Sequence, residues 1–184
     1  LDVAQPLPDV ASDRTLAIPS GRPLRLGLIS DTHLTERGLP LPLAAIRLLE
    51  GSDYILHAGD IACEPVLEEL RGVAPVLAVW GNVDPVPWST ALASFIALRA
   101  APWRIALVHD AGDREGRAAR ARSRFGPLHA LVFGHSHQPG VWHAVGMLLV
   151  NPGSATHPRR APRPTVGRLD VSDRLEATVL PFDP

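Results

Sequence analysis

Acidic and histidine residues recur in short fragments that each follow a run of apolar residues. The fragments are Ser30-Asp31-Thr32-His33, His57-Ala58-Gly59-Asp60, Gly81-Asn82-Val83-Asp84, His109-Asp110 and Gly134-His135-Ser136-His137. In an extended chain, residues two apart point to the same side, so Asp31 and His33 can bind one ion together, and His135 and His137 repeat that spacing. Imidazole and oxygen ligands without a thiolate suit Mn, Fe, Co, Ni or Zn better than Ca or Mg. The residue types therefore predict a transition-metal site.

Each fragment alone has a simpler interpretation. Gly-Asp and Gly-Asn pairs are common in turns, and a single histidine at a strand end often only hydrogen-bonds to the backbone. The five fragments agree, however, because each one lies at the end of a separate predicted strand. That agreement favours the metal interpretation over five independent turns.

The elements that must position these side chains alternate along the chain. Apolar runs predict strands at 24–30, 53–59, 76–82, 104–110, 130–136 and 147–153. Helical spacing predicts helices at 41–50, 64–72 and 114–126, the last two ending at a glycine. This alternation is typical of an α/β fold, in which ligands bind outside the carboxyl ends of the strands.

Other segments predict antiparallel pairs and therefore a mixed sheet layout. Hairpins are expected around Ala101–Pro102, Gly146 and Ser172–Asp173, although a helix through 88–99 is an alternative to the first. We expect two sheets packed face to face with helices outside. Residues 1–23, rich in proline, are expected to form an irregular tail, and residues 24–184 a single domain.

Composition excludes several kinds of site. All 18 basic residues are arginine, so Schiff-base chemistry and a P-loop lysine are excluded, and the single cysteine excludes an intrachain disulfide or a four-cysteine zinc site. The net charge of −1 gives no indication of a nucleic-acid partner. No apolar run is long enough to span a membrane, and no signal peptide is recognisable, so we expect a cytoplasmic protein.

The ordered fragments resemble the five motifs of the calcineurin-like metallophosphoesterases. Together with Asn151-Pro152-Gly153-Ser154, they are similar to the small single-domain bacterial and archaeal phosphodiesterase branch of that superfamily, over about residues 24–181. The resemblance implies a four-layer α-β-β-α sandwich with two metal ions between strand ends. By motif position, one ion takes Asp31, His33, Asp60 and His137, and the other takes Asp60, Asn82, His109 and His135.

The resemblance also implies a reaction. Two divalent ions, Mn first and Fe, Ni, Co or Zn as alternatives, suit an in-line attack of a bridging hydroxide on a small phosphate ester, with Asn82 binding metal and contacting a phosphate oxygen. With Asp31 and Asp60 charged, such a centre stays net positive and attracts a phosphate. The expected activity is that of a phosphodiesterase.

One departure from the superfamily pattern concerns the leaving group. Larger members carry a histidine directly after this asparagine, where it is expected to act as an acid; here the residue is Val83, which cannot donate a proton. His57 is a candidate for that role, although a packed histidine is the simpler interpretation. Asp84 is expected either to cap a turn or to orient a ligand histidine.

Two other functions remain open at this point. A retromer subunit shares the small fold but lacks several of the ligands, so a scaffold for protein interactions is an alternative to an enzyme. A phosphomonoesterase or nucleotide hydrolase using the same site is another.

Overall fold

The computed structural model describes residues 14–18, 22–34, 40–86 and 91–183. In chain order the strands are β1 (Arg14–Ala17), β2 (Leu24–Ile29), β3 (Tyr54–His57), β4 (Val76–Ala78), β5 (Phe95–Ala100), β6 (Trp103–Val108), β7 (Ala130–Val132), β8 (Gly140–Ala144), β9 (Met147–Asn151), β10 (Thr165–Val171) and β11 (Leu175–Pro181). The helices in the described residues are α1 (Leu43–Leu49), α2 (Glu64–Arg71) and α3 (Arg117–Phe125). None of these helices combines the length and apolar character needed to span a membrane.

The strands form two mixed sheets. The first has the order β1-β5-β6-β7-β9-β8, and the second has the order β11-β10-β2-β3-β4. Within the second sheet β2, β3 and β4 run parallel, and within the first sheet β6, β7 and β9 run parallel. Parallel neighbours end at the same edge, so the segments that follow these six strands are brought together.

Alternation along the strands produces three apolar layers. Leu26 and Leu28 of β2 face Ile105 and Leu107 of β6 in a cluster between the sheets. The other face of the second sheet, represented by Ile29, packs on α1 and α2. The other face of the first sheet packs on α3. These layers confirm the predicted α-β-β-α order.

The predicted elements are found, with shorter bounds. All three predicted hairpins form, including β5–β6, so the alternative of a helix through 88–99 is wrong for the strand residues Phe95–Ala100; residues 87–90 lie outside the described part of the chain. Helix α3 is limited by Gly116 and Gly126, whose φ angles of 68° and 73° are left-handed.

The prediction of an irregular tail over residues 1–23 is wrong for Arg14–Ala17. These residues form β1, which pairs parallel to β5 at the edge of the first sheet. Four residues carry too little periodicity to show a strand in the sequence, and the pairing partner lies about 80 positions away. Residues 1–13 and 19–21 lie outside the described residues, and the division of the chain at residue 24 stays a prediction.

Candidate metal centre

The structure brings the seven predicted ligands together at the shared strand edge. Two groups of side chains have all their ligand atoms within 4.8 Å of one another: Asp31, His33 and His137, and Asp31, Asp60 and His109. The side-chain amide of Asn82 joins the second group. Its Oδ1 lies 3.0 Å from His109 Nε2 and 2.9 Å from His135 Nδ1.

His109 shows which of its nitrogens is free to bind a metal. Its Nδ1 lies 2.8 Å from the carbonyl oxygen of Ala58, so Nδ1 carries the proton and donates it. In the neutral ring, Nε2 then presents a lone pair toward Asn82 Oδ1 and, at 3.3 Å, toward Asp60 Oδ1. Three acceptors therefore face one another, which is favourable only if a cation or an added proton lies between them.

The other half of the site repeats this arrangement. His137 Nδ1 donates to the carbonyl oxygen of His157, which leaves the Nε2 lone pair directed inward. That atom lies 3.0 Å from His33 Nε2 and 3.3 Å from Asp31 Oδ1. A ligand histidine that donates its second nitrogen to a backbone carbonyl is the usual arrangement in metal sites. These residues fit two transition-metal ions.

Asp60 faces both halves of the site. Its Oδ1 lies 3.3 Å from His109 Nε2, and its Oδ2 lies 3.5 Å from His33 Nε2. Oδ1 also accepts a hydrogen bond from the Val83 amide at 3.0 Å. The carboxylate thus offers one oxygen to each group, as the sequence predicts for a bridging ligand.

Backbone geometry is unusual at these residues. Left-handed φ angles occur at Asp31 (53°), His33 (46°), Asp60 (55°), His135 (65°) and His137 (54°). Each costs about 1–3 kcal/mol in a residue other than glycine, and such positions cluster at functional sites. These conformations let the chain turn sharply in the loops that follow the strands, where the ligand side chains lie.

Glycines allow the ligand loops to approach closely. A Cβ at Gly81 would lie 2.2 Å from Asp60 Oδ1, and one at Gly134 would lie 2.7 Å from Asp31 Oδ2. One at Gly59 would lie 2.7 Å from His109 Nδ1. No side chain larger than hydrogen fits at these positions without moving a ligand.

Asp84 holds two ligand loops together through their backbones. Its Oδ1 accepts hydrogen bonds from the amides of Ile61 and Ala62, both at 2.8 Å, and its Oδ2 accepts one from Gly81 at 2.8 Å. Asp84 therefore positions Asp60 and Asn82 by fixing the loops that carry them. The expected contact with a ligand histidine is replaced by these three amides.

His57 lies beneath the site, with no exposed surface. Its Nδ1 accepts from the Gly59 amide at 3.2 Å, so its Nε2 carries the proton and donates to Thr32 Oγ1 at 3.2 Å. Burial lowers its pKa to about 3, which keeps the ring neutral. With both nitrogens bound to protein, His57 has no access to a substrate, and the geometry favours the packed histidine over the catalytic role.

The Asn-Pro-Gly-Ser segment after β9 has a larger part than its sequence indicated. Asn151 Nδ2 donates to the carbonyl oxygen of Gly134 at 2.8 Å, and Ser154 Oγ donates to that of Asp31 at 2.7 Å. One segment thus supports two ligand loops from different sheets. The sequence used this segment only for the family resemblance, and its supporting role is seen in the structure, where both side chains are fully or almost fully buried.

Burial and hydrogen bonding shift the pKa values of the ligands in different directions. Burial raises the pKa of Asp31 to about 6 and lowers that of His33 to about 4. Burial also acts to raise the pKa of Asp60, but His109, which can pair with the carboxylate when its ring takes up a second proton, and the hydrogen bond from the Val83 amide outweigh it, so the pKa is lowered. For His109 burial is outweighed by its contacts with Asp60 and Ala58, and the pKa is raised.

Comparison with known proteins gives consistent results. The sequence profile of the calcineurin-like phosphoesterase superfamily domain matches residues 24–174. A probable metallophosphoesterase of Methanocaldococcus jannaschii is 34% identical over 181 residues, which cover 96% of this chain and 90% of the relative.

Solved structures show the same fold at low identity. Vacuolar protein sorting 29 from Cryptosporidium parvum has a TM-score of 0.71 and 20% identity, over 88% of this chain and 99% of the other. A novel archaeal phosphodiesterase has a TM-score of 0.65 and 22% identity, over 85% of this chain and 100% of the other.

The close packing at Gly81 leads to a test of the geometry. Gly81→Ala is expected to lower bound metal clearly, because the added Cβ would lie 2.3 Å from the backbone nitrogen of Asp60 as well as against its carboxylate. The measurement is elemental analysis of the purified variant after loading with Mn. Gly72→Ala, at the end of α2, is the control, since its closest new contact is 3.1 Å from Glu69 O and involves no ligand. Equal metal contents in the two folded variants would contradict the described geometry.

Metal binding is expected to weaken in acid. Asp31 must be ionised and the histidines neutral to act as ligands, so protons compete with the metal as the pH falls through about 6, the raised pKa of Asp31. For one competing proton, Mn affinity falls about tenfold per pH unit below that value. Titration calorimetry at several pH values between 7.5 and 5 measures this. Constant affinity down to pH 5 would contradict proton competition at Asp31 and at His109, whose pKa is also raised.

Proposed function

The chain belongs to the calcineurin-like phosphoesterase superfamily, and from this membership we propose that it is a dinuclear metal-dependent phosphodiesterase. The family relation, which confirms the resemblance seen in the motifs, supports metal-dependent hydrolysis of phosphate esters. The finer proposal depends on one observation: the inner nitrogens of His109 and His137, whose protons are held on Nδ1 by backbone carbonyls, face the carboxylates of Asp60 and Asp31.

The proposed ligand sets follow the two halves of the site. Asp31, His33, Asp60 and His137 would hold one ion, and Asp60, Asn82, His109 and His135 the other. When bound, two such ions supply Lewis-acid chemistry, activate water at neutral pH and orient the phosphoryl group. Mn is the first candidate, and Fe, Ni, Co and Zn suit the same ligands.

The side chains of this protein supply positioning and charge. Asp31 and Asp60 together carry two negative charges against four from two divalent ions, so the loaded site remains positive and attracts a phosphate ester. The Nδ2 of Asn82 makes no hydrogen bond with any described residue, and the side chain is exposed. We propose that this amide donates to a phosphoryl oxygen while Oδ1 binds the metal.

Neither Val83 nor His57 is placed to protonate the leaving group. Val83 is 46% exposed at the mouth, and its amide hydrogen is already bound to Asp60. His57, the other candidate, is fully buried. We therefore propose that substrates with good leaving groups are preferred, since no described side chain at Val83 or His57 can supply the proton.

A scaffold for protein interactions is the alternative, because vacuolar protein sorting 29 from Cryptosporidium parvum shares the fold. The complete set of ligands, brought together as described, favours the enzyme. A chain that retains no transition metal and shows no hydrolysis after addition of Mn would favour the scaffold.

The bridging role of Asp60 predicts the effect of removing it. Asp60→Asn is expected to lose most of both ions and to lower hydrolysis of bis(p-nitrophenyl) phosphate by about 100-fold or more, because the charge shared by both ions is gone. Elemental analysis and kinetics measure the two effects. Val83→Ala, at the same mouth, is expected to keep both ions. Retention of two ions by Asp60→Asn would show that the carboxylate does not bridge them.

The leaving-group proposal is tested with a series of aryl methyl phosphates whose phenols differ in pKa. A steep fall in kcat/KM with rising phenol pKa is expected for the native chain, and Val83→His is expected to raise the rate of the poorest substrate by about tenfold or more. Leu43→His, on the exposed face of α1, controls for an added surface histidine. A native rate that is independent of the phenol would overturn the proposal.

A further inference from the structure

Residues 155–159, which follow Ser154, form a rim on one side of the candidate metal centre. Ser154 Oγ, bound to the Asp31 carbonyl, also accepts a hydrogen bond from the His157 amide at 2.8 Å. Thr156 Oγ1 donates to the carbonyl oxygen of Thr32. The segment is thus tied to the first ligand loop at two points, by Ser154 and by Thr156.

His157 places this rim directly against two proposed ligands. Its carbonyl oxygen accepts from His137 Nδ1, and its ring lies edge-on to the His33 ring with the centroids 5.5 Å apart. The side chain is nevertheless exposed. The rim therefore lies beside the half of the site formed by His33 and His137, at the protein surface.

Arg159 extends from this rim and, like Arg160, differs from other arginines of the C-terminal region in having no described ion pair. It is exposed, has a left-handed φ of 51°, and makes no hydrogen bond or ion pair with any described residue. By contrast, Arg163 pairs with Asp183 at 3.1 Å and Arg168 with Asp170 at 2.8 Å. Arg159 lies two residues after His157, which contacts both His33 and His137.

A cation beside a site that gathers divalent ions is unfavourable unless an anion joins them. The ties of Ser154 and Thr156 hold the backbone of the rim beside the site, so the exposed Arg159 side chain starts from that side. The adjacent Arg160 is also exposed and has no described partner. A guanidinium is suited to phosphate because its planar N–H groups match two oxygens at once.

We propose that Arg159 is a specificity-determining residue, which binds a second phosphate of the substrate while the phosphoryl group under attack lies at the metal centre. The preferred substrates are then phosphate esters that carry a further phosphate, not singly charged diesters. This inference rests on the proposed function for the identity of the reaction, but the binding that it describes can be measured without any turnover.

The test compares ligands that differ by one phosphate. Adenosine 5′-monophosphate, adenosine 5′-diphosphate and adenosine 3′,5′-bisphosphate are titrated calorimetrically into the Mn-loaded chain and into the metal-free chain, with the adenosine serving only as a common carrier. At least one doubly phosphorylated ligand is expected to bind about tenfold more tightly than the monophosphate. Arg159→Gln is expected to remove that gain, and Arg159→Lys to retain part of it.

Arg114→Gln is the matched control, because Arg114 is also exposed and without a described hydrogen bond but precedes α3. Unchanged metal content and thermal unfolding of Arg159→Gln show that the variant is intact. The proposal is overturned if neither ligand shows a gain, or if the gain survives in Arg159→Gln. If the gain depends on Arg159 but no ester is hydrolysed, the proposed enzymatic function fails while the phosphate site stands.

Discussion

The candidate site depends on the mutual repulsion of hydrogen-bond acceptors. Ala58 and His157 fix the protons of His109 and His137 on the outer nitrogens, so that the inner nitrogens and the carboxylates of Asp31 and Asp60 all present lone pairs to a common space. Without a cation or an added proton this arrangement is unfavourable, because the inner nitrogens face carboxylate oxygens with only lone pairs between them. The arrangement therefore supports the proposed metal binding independently of any relative.

The rest of the architecture serves to maintain that arrangement against strain. Five ligand residues adopt left-handed backbone conformations, and all of them lie in the loops that follow strands β2, β3 and β7 of the parallel sets. Asp84 holds the loops of the second sheet, and Asn151 and Ser154 connect the loops of both sheets. Asp84 and Asn151 bind no ion in the proposed scheme. The proposed ligand residues nevertheless depend on these two side chains for their positions.

Sequence reasoning predicted the fold and the grouping of the ligands because both follow from local patterns. Apolar runs ending in Asp or His place those side chains at one sheet edge, whatever the loop conformations are. The packed His57 was the simpler of the two interpretations that the sequence offered, but the role of Asp84 in joining two loops was not predictable in this way. It is set by contacts with the backbone of another loop, since Asp84 binds the amides of Ile61 and Ala62. Strand β1 (Arg14–Ala17) was not predicted for the same reason, since its partner β5 lies far away in the sequence.

The ties made by Ser154 also set an order of events during protein synthesis. The loop of Asp31 leaves the ribosome early, but the hydroxyl that supports its carbonyl, and the histidine carbonyl that orients His137, emerge more than 120 residues later. The β10 strand, which pairs with β2 beside that loop, is translated later still. A nascent chain therefore lacks these supports of the proposed ion site until Ser154, His157 and β10 have been translated.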